Sequence, residues 1–257
     1  MMIHPTAIVH KNARLAELVS VGPFSTIGEN VSIGKGTAVG THCVIEGYTA
    51  IGERCKIFTG AVIGSAPQDL KYKGEKSFLK IGDDNVIREY VTMNPGTGAG
   101  GSTVIGDKNE FMAYAHIAHD CKIGSEVIIA NLGTLAGHVT VEDRVVIGGA
   151  VAIHQFVRVG TLAIVGGYSK IVQDILPYSM TAGNPVKLYS INSVGLQRAG
   201  LSDAARLALK KALKFVQNKE LSLPHALRLI EEKLMPYPQE VSRLVDFIKD
   251  SKRGITR

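Results

Sequence analysis

Residues 31 to 64 read VSIGKGTAVGTHCVIEGYTAIGERCKIFTGAVIG, and a large apolar residue returns at every sixth position: Ile33, Val39, Ile45, Ile51, Ile57 and Ile63. Stepping by six in both directions carries the series from Ile3 to Ile171, and only Asp69, Glu75 and Ala99 interrupt it. An amphipathic helix repeats its apolar face every 3.6 residues and a half-buried strand every two, so neither gives a period of six. Two places before each large residue the side chain is usually small or β-branched, as at Ala7, Ala13, Ser25, Thr37, Thr49, Ala61, Ala115 and Gly133. The place after it is often glycine, as at Gly22, Gly28, Gly34, Gly40, Gly52, Gly82, Gly106, Gly124, Gly148 and Gly160, which is read as a corner at positive φ. One large and one small inward residue per short strand, followed by a turn, predicts a left-handed parallel β-helix of hexapeptide repeats. Three hexads close one triangular coil, so residues 18 apart stack on neighbouring coils roughly 4.8 Å apart.

The interruptions mark two excursions from the coil, near 66–80 (APQDLKYKGEKSF) and near 94–104 (NPGTGAGGST). Loops carried on a rigid scaffold are where functional residues gather. The second excursion is rich in glycine but lacks the lysine of a phosphate-binding loop, and it is expected to be a flexible flap. After Pro177 the pattern changes. Ser202 is placed to cap a helix over LSDAARLALKKALKFVQNK, Ser222 one over LPHALRLIEEKL, and a third starts near Pro238 and runs through VSRLVDFIKD. The expected organisation is a mainly β repeat domain over 1–185 and a C-terminal α-helical domain over 186–257.

Composition narrows the class. The 257 residues are 45% hydrophobic and 20% charged, as in a soluble globular protein with a sizeable core. The apolar run near Val145 to Ile153 is too short to span a bilayer, so no stable membrane insertion is expected. MMIHPTAIVH has no basic region leading into an apolar stretch, so no secretory signal is expected, and a reducing cytoplasm is the expected home. Cys43, Cys55 and Cys121 have no CxxC spacing and all fall on the small inward position, which makes them core fillers rather than disulfide or zinc partners. The net charge of +6 is uneven: residues 186–257 hold 14 Lys and Arg against 7 Asp and Glu. A basic surface attracts nucleic acid, anionic lipid or an acidic protein, and charge alone does not choose among them.

AHIAHDC, residues 115 to 121, carries the chemistry. His119 follows the inward Ile117 by two places, so it points outward near a corner. The 18-residue rule stacks Gly137 and then Gln155 on it, stacks His138 on Asp120, and stacks His154 above Ala118 and Ala136. His116, His119, Asp120, Gly137, His138, His154 and Gln155 therefore converge on one strip. Scattered surface histidines, a three-histidine zinc site as in metal-dependent hydratases, and an acid–base site compete for this strip. No matching set of acidic ligands accompanies the histidines, and the acid–base reading fits best. A neutral imidazole accepts a proton near neutral pH, and an adjacent carboxylate fixes its tautomer. The backbone N–H of Gly137, screened by no side chain, can stabilise an oxyanion, and base plus oxyanion donor point to acyl transfer to a hydroxyl.

With these residues in view, the chain resembles the UDP-N-acetylglucosamine 3-O-acyltransferases of bacterial lipid A synthesis along essentially its whole length. QDLKY (68–72), AHIAHDC (115–121), LAGHV (135–139), HQF (154–156) and NSVGLQRAG (192–200), in that order, carry the resemblance. The resemblance implies a cytoplasmic homotrimer that moves a 3-hydroxyacyl chain from the phosphopantetheine thioester of acyl carrier protein to the glucosamine 3-hydroxyl, with no cofactor, no metal and no nucleic-acid partner. It implies His119 as general base, Asp120 as its orienting partner and the Gly137 N–H as oxyanion donor. It implies Asp69 and Lys71 at the sugar nucleotide and His116, His138, His154 and Gln155 lining a cleft between subunits. Asn192 and Arg198 would hold the uridine and phosphate end, and Gly167 matches a position limiting acyl length, where a missing side chain implies a long acyl chain. The basic helices would meet the acidic carrier protein. Two positions and one stretch depart from the family pattern. Val194 replaces a frequent glutamate, MNPGT (93–97) a stretch with histidine and arginine, and Pro185 an occasional histidine. A 3-amino sugar acceptor, giving an amide, stays open, as does the pathway's later N-acyltransferase, although that family has a separate uridine-binding domain before its repeats.

Overall fold

The computed structural model describes residues 2–236 and 238–257. The hexads form a left-handed parallel β-helix whose three faces are sheets of eleven, nine and eight strands, most of them only two residues long. Successive hexads fall on the first, second and third face in turn, with Met2–Ile3 pairing Ser20–Val21, Ile8–Val9 pairing Thr26–Ile27, and Arg14–Leu15 pairing Ser32–Ile33. The large and small inward positions make one continuous core, in which Ile27, Ile45, Ile63, Ile87, Phe111, Ile129 and Ile147 are fully buried.

The two excursions explain why the period of six survives them. Across the first, paired strands are 30 residues apart (Val62↔Thr92 after Val44↔Val62), so the loop adds twelve residues to the eighteen of a coil. Across the second they are 24 apart (Thr92↔His116), an addition of six. Asp69 and Glu75 occupy the two hexads of the first insertion and Ala99 the single hexad of the second. Both loops leave the same edge, between the second and third faces, on the two coils beneath the turn that carries His119.

The corner glycines serve a different purpose from the one expected. Positive φ occurs three places after the large residue, at ordinary side chains such as Phe24, Arg54, Asp84, Tyr90, Tyr114, Asp120 and His138. Most glycines directly after the large residue have no positive φ. A Cβ on Gly22 would lie 2.5 Å from the carbonyl oxygen of Gly40, and one on Gly148 would lie 2.5 Å from the nitrogen of Gly167. Close stacking of coil on coil therefore selects glycine there, while the left-handed turn is imposed on whatever residue follows.

The sheet runs past residue 185. Ser179–Ala182 pairs in parallel with Ile164–Val165 and then antiparallel with Lys187–Ile191, which closes the end of the prism. Four helices follow: α1 (Ser193–Arg198), α2 (Asp203–Gln217), α3 (Leu223–Leu234) and α4 (Gln239–Lys249). Ser202 and Ser222 cap α2 and α3 as anticipated, accepting from Ala205 N–H and His225 N–H, and Pro238 stands at the N-cap of α4. The short α1, inside NSVGLQRAG, was not anticipated. Leu209, Leu213, Val216, Ile230, Val241, Leu244 and Ile248 join Leu176, Tyr178 and Leu188 in a second core. Lys210, Lys211, Lys214 and Lys219 stay exposed. No helix among the described residues is long and apolar enough to cross a membrane.

Candidate active site

His119 sits on the edge between the second and third faces, in the turn after the strand His116–Ile117. Ile117 is fully buried, which fixes the turn, and the imidazole two residues on emerges at the surface. Its Nδ1 lies 2.9 Å from Asp120 Oδ2, and because an ionised carboxylate only accepts, Nδ1 carries the proton and Nε2 presents a lone pair. Nε2 is 3.9 Å from Asp69 Oδ2, so the first excursion reaches over the imidazole. Asp69 is itself held in a tight turn: Oδ1 accepts from the Lys71 N–H at 2.9 Å. The Lys71 side chain is exposed.

The stacking rule holds at this edge. His138 N–H donates to His119 O (3.0 Å) and Phe156 N–H to Gly137 O (3.1 Å). The His119 and His138 rings meet edge-on at 5.2 Å, and His138 lies flat on Phe156 at 4.5 Å. Gly137 is buried against the His119 ring: a Cβ there would lie 2.5 Å from His119 Nε2. Its N–H donates to no acceptor among the described residues, whereas the N–H of Ala136 beside it is spent on Ile153 O. An unengaged donor, bare of any side chain and next to an imidazole, is the geometry an oxyanion needs.

The flap expected at 94–103 is instead pinned over Asp120. Thr97 donates its N–H (3.1 Å) and its hydroxyl (2.8 Å) to Asp120 Oδ2. Asn94, buried, donates from Nδ2 to Ser65 O (3.0 Å) and Ala66 O (3.3 Å), tying this loop to the first excursion. Burial alone would push the Asp120 carboxyl up, but the hydrogen bonds from His119 and Thr97, with His138 nearby, outweigh it and hold the group below the usual carboxylate range. His116, whose Nδ1 is 2.7 Å from Thr92 Oγ1, is pushed down by burial and then by His119. Cys121 faces the core; burial pushes its thiol up to about 12, and its sulfur sits 3.3 Å from Ala136 O.

His119, Asp120 and His138 are close enough to one another to share a metal ion. The donor set does not fit one well. Asp120 Oδ2 already takes three donors, and a metal on His119 Nδ1 would have to break the bond that orients the ring.

One chain thus brings together Asp69, His116, His119, Asp120, Gly137, His138 and Gln155. His154 stands on the same edge, with its Nδ1 3.3 Å from Arg253, which the C-terminal segment delivers. The other expected residues lie elsewhere. Gly167 stacks on Gly149 along the edge between the first and second faces. Asn192 and Arg198 bound α1 near the third edge, where Asn192 Oδ1 caps the helix by accepting from Gly195 N–H and Nδ2 donates to Leu162 O. Val194 is exposed on α1. A cavity of about 440 Å³ lined by Thr161, Leu162, Tyr178 and Arg243 follows that third edge and includes none of the His119 group. Thr97, Phe156 and Arg253 were missed from the sequence. Phe156 was within reach of the 18-residue rule, being one coil above His138, whereas Thr97 sits in an excursion that the rule does not index.

Comparison with known proteins gives a consistent picture. Residues 174–256 match the family model described as Udp N-acetylglucosamine O-acyltransferase, Domain 2, and residues 102–137 match that of the bacterial transferase hexapeptide (six repeats). A protein of Thermodesulfovibrio yellowstonii named acyl-[acyl-carrier-protein]--UDP-N-acetylglucosamine O-acyltransferase is 52% identical over 256 residues, covering 99% of both chains. One of the same name from Anaeromyxobacter dehalogenans is 48% identical over 258 residues, covering 100% of both. Among solved structures, the UDP-N-acetylglucosamine acyltransferase of Bacteroides fragilis superposes with a TM-score of 0.96 at 38% identity, and the O-acyltransferase of Moraxella catarrhalis with 0.92 at 40%, each over 100% of both chains.

Proposed function

Since the chain belongs to the UDP-N-acetylglucosamine O-acyltransferase family, we propose that it moves a 3-hydroxyacyl chain from acyl carrier protein to the 3-hydroxyl of UDP-N-acetylglucosamine, the first step of lipid A biosynthesis. The observation that carries this reading is the His119–Asp120 couple set against the bare Gly137 N–H. His119 Nε2 takes the proton of the sugar 3-hydroxyl as its oxygen attacks the thioester carbonyl. The Gly137 N–H holds the resulting oxyanion, and Asp120 balances the imidazolium. Collapse breaks the C–S bond, and the imidazolium returns its proton to the departing phosphopantetheine thiolate.

Asp69, 3.9 Å from Nε2, would receive a hydroxyl of the sugar, with Lys71 beside it for the nucleotide. A homotrimer is part of the proposal. Phe24, Tyr90, Tyr114, Leu132 and Tyr168 form an exposed apolar line along the edge between the first and second faces, the edge that also carries Gly167. Packing that edge against the His119 edge of a neighbouring copy walls the cleft and brings the acyl-length position to the base. The exposed Lys210, Lys211 and Lys214 of α2 offer the acidic carrier a basic approach.

The test incubates the protein with UDP-N-acetylglucosamine and a panel of 3-hydroxyacyl carrier proteins. Formation of the 3-O-acyl ester, favouring long chains, is the expected result. No ester with any donor, or amide formation with a 3-amino sugar nucleotide alone, refutes the acceptor assignment.

A further inference from the structure

We propose that Thr97 is a positioning residue for the His119–Asp120 couple, its hydroxyl and backbone N–H fixing which imidazole the carboxylate serves. The proposal rests on the reading of His119 as the base. Asp120 stands at a corner with φ of 58°, so its side chain leaves the turn between two histidines. Oδ2 is 2.9 Å from His119 Nδ1 and 3.8 Å from His138 Nε2, and a free carboxylate could swing toward either.

Thr97 removes that freedom. Its N–H at 3.1 Å and hydroxyl at 2.8 Å converge on the same Oδ2 that accepts from His119. Gly96 and Gly101 wall the other oxygen, so closely that a Cβ on Gly96 would lie 2.7 Å from Oδ1 and one on Gly101 3.2 Å. The loop is anchored on its own account, with Gly96 N–H donating to Phe78 O at 3.2 Å and Gly100 N–H to Lys76 O at 2.8 Å. Thr97 therefore acts from a fixed frame, touching the carboxylate and no reacting atom. The other titratable groups facing the couple are Asp69 from the first excursion, His116 from the preceding strand and His138 from the next coil.

Two substitutions separate positioning from packing. Thr97→Val deletes the hydroxyl and keeps the N–H, whereas Thr97→Ser keeps both donors. With Thr97→Val, kcat is expected to fall about tenfold while KM for both substrates stays within about twofold, the signature of a misaligned base rather than lost binding. Thr97→Ser should restore the rate. In an Asp120→Asn background the Thr97→Val change should cost less than about twofold, because its effect passes through the carboxylate.

A substrate-free measurement separates this proposal from the function it rests on. Carbon NMR of the Asp120 carboxyl should show it taking up its proton at higher pH in Thr97→Val than in the unaltered protein. The acid limb of kcat should move the same way. Unchanged kcat, an equal loss in the Asp120→Asn background, or an unmoved carboxyl titration overturns the role of Thr97. If the unaltered protein fails to acylate the sugar nucleotide, the function falls, and the carboxyl titration still decides the role of Thr97.

Discussion

Gly137→Ala puts one carbon against the His119 imidazole, the proposed base, and leaves in place the backbone N–H proposed as the oxyanion donor. The new Cβ would lie 2.5 Å from His119 Nε2 and 3.1 Å from Nδ1, so the ring must move by about 1 Å to reach an ordinary contact. Gly137 has no positive φ, so alanine fits its backbone and the N–H remains in place. The imidazole gives way because it is the nearest movable group, and its 2.9 Å bond to Asp120 lengthens or turns off line. A misplacement of that size costs about a hundredfold in rate, or about 2.7 kcal/mol of transition-state stabilisation. The melting temperature should change little, because the clash is relieved at a partly exposed side chain. The assay pairs steady-state ester formation with thermal unfolding of the same preparation. A kcat within about threefold of the unaltered enzyme would show that the ring has room to spare, and the close-contact reasoning would fail.

Further outcomes follow from the same geometry. His119→Ala should lower kcat by at least about a thousandfold while leaving circular dichroism and melting unchanged, and a folded variant retaining near-normal turnover would remove His119 from the base role. Cys43, Cys55 and Cys121 are fully buried, so an alkylating reagent should label none of them in the native protein and all three in denaturant; native labelling would contradict the inward register. His116 is held below its ordinary value of 6.5 by burial, so the unfolded chain binds the proton more readily. Its stabilising contribution is then present above that ordinary value and is lost as pH falls through the lowered one. Urea titrations between about pH 7 and about pH 5 should therefore show a steeper loss in the unaltered protein than in His116→Gln, and equal slopes would refute the assignment.

Much of this was legible in the sequence because the fold is nearly one-dimensional. A repeat whose neighbours are always 18 residues away turns contact prediction into counting, and counting placed Gly137 on His119 and His138 on Asp120. Counting also assigned Cys121 to the core although it adjoins two polar residues. Where the chain leaves the lattice, the method loses its index. Thr97 and Asp69 lie in loops whose closure depends on hydrogen bonds such as Asn94 to Ser65, and no periodicity encodes those. The corner glycines were misjudged for a related reason. Glycine answers both to positive φ and to tight backbone approach, and the sequence records the residue without recording which demand selected it. Residues on different edges, such as Gly167 and Asn192, share no contact within one chain, so their assignment came from resemblance alone.

The two insertions of twelve and six residues together equal one coil, and this gives the chain two nested reading frames. Folding is read in sixes, since any stretch that keeps the hexad keeps every inward site filled. Chemistry is read in eighteens, because only that step returns a residue to the same edge. Loss of a single hexad between Leu135 and Ile153 would leave the core pattern intact and rotate all that follows by one face. His154, Gln155 and Phe156 would then leave the edge of His119 in a protein that still folds. Loss of eighteen residues would shorten the prism by one rung and restore the phase. Natural length variation in such a chain is constrained first by the core and more strictly by the site, because a shift out of the eighteen-residue frame spares the inward pattern and still dismantles the edge that carries His119.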